Sequence, residues 1–157
     1  MKPIHIHPLT TPFVVAGFVT LTLLLGSASV SASEGTKHLH IRKDCSQYTG
    51  LAGSSCTVTA SNVAAIPVGS KVFYDQAANN PAGLLDSNIV LDAGNGNRAV
   101  GRCTLDLATG LALCLFFDGT GTLAGFNARI DGAPGIAPDT SYHWNGKYSF
   151  AEKTNEQ

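Results

Sequence analysis

Charge is scarce in this chain: only 13% of its 157 residues are Asp, Glu, Lys or Arg, against about a quarter in an average domain. That scarcity excludes a disordered acidic tail and a coiled coil, both of which need long charged faces. Clusters of Lys and Arg are also missing, and the formal net charge is −1, so nucleic acid is not an expected partner. No stretch carries a convincing amphipathic helical period. No two cysteines have the close spacing of paired zinc ligands, and neither a second domain nor a low-complexity segment is visible. What the chain does have is apolar residues, 44%, and glycine, at 17 positions. This mixture predicts a single all-β domain.

The first 32 residues predict an address rather than a structure. Lys2, His5 and His7 make a weakly basic start, the uncharged run Phe13–Leu25 follows, and small residues lead to Val30-Ser31-Ala32. A basic start, a short apolar stretch and a small-residue exit describe a cleaved secretory signal peptide. A spanning helix needs about 20 apolar residues, and Gly26 with its neighbouring serines ends this run too soon. The expected mature domain is 33–157, with a polar tail from about 151, located in the periplasm or secreted.

All four cysteines fall in that mature part, as an oxidising compartment favours. Cys45 and Cys56 are eleven residues apart, and so are Cys103 and Cys114. Between the second pair, Asp106-Leu107-Ala108-Thr109-Gly110 has the chemistry of a hairpin loop with Gly in the left-handed position. Pairing outward from that loop sets Leu105 opposite Ala112, Thr104 opposite Leu113, and Cys103 opposite Cys114, close enough to bond. Gly50 and Gly53 make a similar return plausible for the first pair. Two local disulfides are expected, and no metal.

Apolar alternation predicts eight strands: 37–43, 55–60, 70–75, 84–91, 98–107, 111–117, 122–131 and 142–150. Short strands with Gly-rich turns point to a sandwich or a closed barrel. In the central hairpin one face holds Leu105, Ala112, the disulfide, and Gly101 beneath Phe116, an aromatic covering bare backbone. The other face pairs Arg102 with Leu115, Thr104 with Leu113 and Val100 with Phe117. Leu111, Leu113, Leu115 and Phe117 thus form an apolar stripe. It is read as sandwich core, as a face with a loop lying across it, or as a contact between subunits on the outside of a barrel.

The run Phe117-Asp118-Gly119-Thr120-Gly121-Thr122-Leu123-Ala124-Gly125-Phe126-Asn127-Ala128 resembles the G-G-T-G-x-F-x-x-A-x-G signature of dirigent proteins. It is more similar still to the bacterial exported proteins of the allene oxide cyclase-like barrel group. The closing Tyr142-His143-Trp144-Asn145-Gly146-Lys147-Tyr148-Ser149-Phe150 is similar to the last strand of that group, as is the Cys103–Cys114 hairpin. The likeness spans about 56–150, with Asp118, Leu123 and Arg129 departing from the plant pattern. It implies an eight-stranded antiparallel barrel, often a trimer, with an apolar pocket at one mouth and no cofactor. Plant relatives cyclise an unstable fatty-acid epoxide or steer radical coupling of phenols, but no catalytic position carries over to this chain.

Several residues have chemistry to weigh. His38 and His40 share one strand face, but two imidazoles without a third ligand are a weak metal site. His143 alternates with Asn145 and Lys147 on a polar face and reads as surface. Asp118-Gly119-Thr120-Gly121 lacks the Lys of a phosphate loop and reads as a bulge or turn. Asp106 reads as a turn opener, and Asp86 and Asp92 remain open acid–base candidates. Phe116, Phe126, Tyr142 and Trp144 are candidate pocket residues, though aromatics at alternating positions also make plain core. Tyr74 and Arg102 are the candidate inward polar groups. Three functions stay open: a carrier of a small hydrophobic ligand, a cofactor-free cyclase or isomerase, and a structural or interaction barrel with a filled interior.

Overall fold

The computed structural model describes residues 35–78 and 83–151; the expected leader at 1–32 and the tail beyond 151 lie outside the described residues. Eight antiparallel strands run β1 (Lys37–Asp44), β2 (Ser55–Ser61), β3 (Lys71–Tyr74), β4 (Leu84–Asp92), β5 (Arg98–Asp106), β6 (Ala112–Gly119), β7 (Phe126–Pro134) and β8 (Tyr142–Phe150). Each pairs with its neighbour in sequence, and β8 returns to pair with β1, closing the barrel. The barrel, not the sandwich, is therefore the fold. Closure leaves no unpaired edge, and period-two alternation sends one side chain in and the next out.

The inward set is apolar on nearly every strand. Leu39 and Ile41 of β1, Val58 of β2, Val72 of β3, Leu85, Ile89 and Leu91 of β4, and Phe126 and Ile130 of β7 are all buried. The loops after β2 and β6 seal one end with Val63, Ile66 and Leu123. The opposite end carries the loops that follow β1, β3, β5 and β7, and both disulfides lie there, Cys45–Cys56 and Cys103–Cys114.

The central hairpin pairs as expected from Leu105↔Ala112 to Gly101↔Phe116. A Cβ on Gly101 would collide with the carbonyl oxygen of Leu115 and lie 3.0 Å from the Phe116 ring, so the bare position is what lets the ring lie over the strand. Asp106 opens the turn by accepting hydrogen bonds from the N–H groups of Ala108 (2.8 Å) and Thr109 (3.3 Å), and Gly110 takes a φ of 72°.

Two expectations are corrected. Val100 pairs with Asp118, not Phe117, because the ladder shifts between Val100 and Gly101 and leaves Phe117 as the extra residue of a bulge. The strand expected from 122 starts only at Phe126. Gly121 and Gly125 adopt φ of 60° and 75°, which breaks the extended run into a 3-10 turn over Gly121–Leu123 and drives Leu123 into the core.

Candidate functional site: a cavity at the disulfide end

Inside the disulfide end lies a cavity of about 100 Å³, of the order of the ~150 Å³ engineered cavity that admits benzene in another protein. Tyr48, Tyr74, Leu85, Leu105, Tyr142, Trp144 and both disulfides form its walls. Strand parity explains the set. Cys56, Tyr74, Leu85, Cys103, Leu105, Cys114 and Trp144 occupy inward positions near the same ends of their strands. Tyr48 reaches in from the loop that Cys45–Cys56 closes, and its ring meets Tyr74 edge-on at 5.3 Å.

Tyr142 forms part of the rim. Its hydroxyl donates to the Gly110 carbonyl at 2.7 Å, tying β8 to the tip of the disulfide hairpin. Gly132 opposite leaves room for the ring, since a Cβ there would stand 2.8 Å from Tyr142 Cε1. Trp144 separates the cavity from an aromatic core, with Phe116 edge-on at 5.8 Å and Phe126 beyond it, 5.7 Å from Phe116.

The feature that stands out is a cation. Lys43 is wholly buried, because Leu39, Ile41 and Lys43 share the inward side of β1. Its Nζ donates to the Tyr74 hydroxyl at 3.0 Å and sits 3.5 Å from the centre of the Trp144 ring, with Tyr142 and Tyr74 rings at 5.1 and 5.7 Å. Among the described residues no carboxylate forms an ion pair with it. Burial drives its pKa well below the ordinary lysine value. Ring faces offset only part of that cost: a cation–π contact is worth about 0.5–2 kcal/mol, while desolvating an ammonium costs several.

The remaining polar groups here are chiefly donors. Burial pushes the Tyr142 phenol up to about 12 and raises those of Tyr74 and Tyr48, so all three stay protonated. The Tyr48 hydroxyl and the Trp144 indole N–H are buried with no hydrogen-bond partner among the described residues. No acidic side chain lines the cavity.

Of the six candidate pocket residues, the structure brings Tyr74, Tyr142 and Trp144 together at the cavity. Phe116 and Phe126 belong to the packed core beneath it. Arg102 is outside: it lies between inward-facing Gly101 and Cys103, and forms a two-pronged ion pair with Asp86 at 2.8 and 2.7 Å on the barrel surface. Asp86 is thereby accounted for, and Asp92 likewise pairs with Arg98 at 3.0 Å. His38 and His40 stack on the outer face with ring centres 6.5 Å apart, and His40 bonds Asn145. His143 bonds Asp139 at 2.6 Å, a contact that, after the Asp139 bonds to Ser141, helps hold the Asp139 carboxyl at about 2. Among the described residues no group of three or more His, Cys, Asp or Glu is placed to hold a metal.

Sequence reasoning missed Lys43, Tyr48, Leu85 and Leu105. The signal for Lys43 was parity, since Cys45 must turn toward Cys56 and every second residue before it shares that side. No family model, curated protein or solved structure matches this chain.

Proposed function

We propose that this protein is an exported, disulfide-stabilised barrel that binds a small, largely apolar molecule in the cavity at its disulfide end. The observation that carries the reading is the cavity itself, walled by aromatic and aliphatic groups and two disulfides. Binding sites of this kind combine an apolar lining with a few convergent polar groups. Export is supported by the pattern of residues 1–32 and by two disulfides of the sort that persist outside the cytosol. The barrel architecture also supports kinship with the allene oxide cyclase-like group. A cofactor-free cyclase would need an inward polar group. With Arg102 on the surface, that role passes to the polar groups at the disulfide end, Tyr48, Tyr74 and Tyr142 on the cavity and Lys43 behind their rings, and a cavity that holds a reactive substrate in one pose gains rate from proximity alone.

The test is a native mass spectrum of protein purified gently from its own exporting host, followed by a toluene titration read through Trp144, the single tryptophan of the chain. A retained small molecule, or saturable change in Trp144 emission, is the expected result. An empty protein whose emission ignores toluene leaves the structural barrel as the function.

We also propose that a second copy of the chain covers the outer stripe. Leu115 and Phe117 are 43% and 60% exposed, and the Arg102–Asp86 pair flanks them with one charge of each sign. In a closed assembly, such as the trimer that the resemblance implies, a neighbouring copy would shield this stripe from water.

A further inference from the structure

The buried amine says something about the ligand that the size of the cavity does not. Lys43 has donor hydrogens and ring faces around it but no anion. Tyr48 and Trp144, both cavity residues, add two buried polar atoms without partners. An indole N–H can only donate, an ammonium can only donate, and a protonated phenol has its hydrogen to give. The two partnerless atoms can therefore each donate, and behind the Tyr74, Tyr142 and Trp144 rings of the cavity stands a potential cation. A neutral hydrocarbon would leave the Tyr48 hydroxyl and the Trp144 N–H without partners and the Lys43 amine without a counter-charge.

We infer that the cavity takes a small organic acid as its anion, a compact apolar body bearing one carboxylate or phenolate, which supplies the counter-charge that Lys43 lacks in the fold. The inference rests on the ligand-binding reading above and names the chemical class of that ligand. The anion need not touch the amine. Nζ lies against rings of Tyr74, Tyr142 and Trp144, all of which face the cavity, and charges act over such distances in a medium poorer in water than the surface. The free amine is disfavoured as a cation by burial. An anion beside it reverses that preference, so binding of the acid and protonation of Lys43 reinforce one another.

The titratable groups facing Lys43 are Tyr74 from β3 and Tyr142 from β8, with Tyr48 of the loop after β1 packed behind Tyr74. All three phenols are held above their ordinary value and stay neutral. Lys43 is therefore the group that changes charge. Acid binding should weaken as pH rises through the amine's value in the complex.

The experiment compares benzoate with benzyl alcohol, its neutral counterpart in shape, on the full mature chain. Trp144 emission reports affinity, and the Cε resonance of Lys43 reports its protonation. Benzoate should bind at least tenfold more tightly than benzyl alcohol near neutral pH. The preference should vanish in Lys43→Met, where benzoate should bind no more tightly than benzyl alcohol binds the same variant. In the unsubstituted protein, benzoate but not benzyl alcohol should move the Lys43 titration midpoint upward, a readout that stands even where the variant does not fold. Equal affinity for the two probes, a preference that survives Lys43→Met, or an unmoved midpoint overturns the inference while leaving the cavity-binding reading intact. Failure of both probes to bind removes the two together.

Discussion

Lys43 is a residue whose removal should help the fold. Its folded-state pKa is depressed by burial, whereas in the unfolded chain it titrates near its ordinary 10.5. Between those two values the unfolded state holds more protons, so stability rises with pH across that window and is lost as pH falls through it. Lys43→Met replaces the amine with an apolar chain of similar length. The variant should be as stable as the original above pH 10 and more stable near neutrality. Urea unfolding at several pH values checks this, and parallel pH curves for the two proteins would show that the amine carries no burial penalty. The position was legible in principle from the alternation of Leu39, Ile41, Lys43 and Cys45. A lysine ordinarily marks the wet face, and that composition rule masked the parity rule. Tyr74, by contrast, was found because a tyrosine fits both an inward and a polar role.

Strands, turns and register were mostly open to sequence reasoning, since alternation and turn chemistry are local. The Cys103–Cys114 hairpin follows from Asp106, Gly110 and the equal spacing of its cysteines. The bulge at Phe117 does not, because an extra residue on one strand shows only when the partner strand is known. The 3-10 turn at Gly121–Leu123 escaped for the same kind of reason: whether Leu123 extends or turns inward depends on a barrel end needing to be filled. At this scale Gly101 gives a direct test. Gly101→Ala drives a Cβ into the Leu115 carbonyl and against the Phe116 ring, and overpacking of this kind costs about 1–3 kcal/mol. Denaturant unfolding should show that loss. Gly94→Ala, in a loop where a Cβ meets nothing within 4 Å, should cost only its left-handed backbone, with φ of 81°. No loss for Gly101→Ala would mean that the close packing of Phe116 on β5 contributes nothing.

At the level of the whole molecule, the choice between sandwich and barrel was beyond composition and alternation, because both show the same pattern along the chain. It is settled by the pairing of β1 with β8. That closure turns the stripe carrying Leu115 and Phe117 outward, where a sandwich would have buried it. Phe117→Asp should then shift any assembly toward the monomer in sedimentation, with the fold unchanged. An assembly that survives the charge would place the contact elsewhere on the barrel.

The same closure bears on when the cavity can exist. Lys43 and its ring partners Tyr142 and Trp144 lie on strands roughly a hundred residues apart in the chain, and meet only where β1 lies against β8. Every other strand pair joins sequence neighbours, so hairpins across the rest of the sheet can form while the amine and its rings are still strangers. The seam that makes the sheet a barrel also makes the site. A chain still emerging, nicked or short of either outer strand cannot bring the amine and its rings together, so the cavity as described belongs to the closed barrel alone.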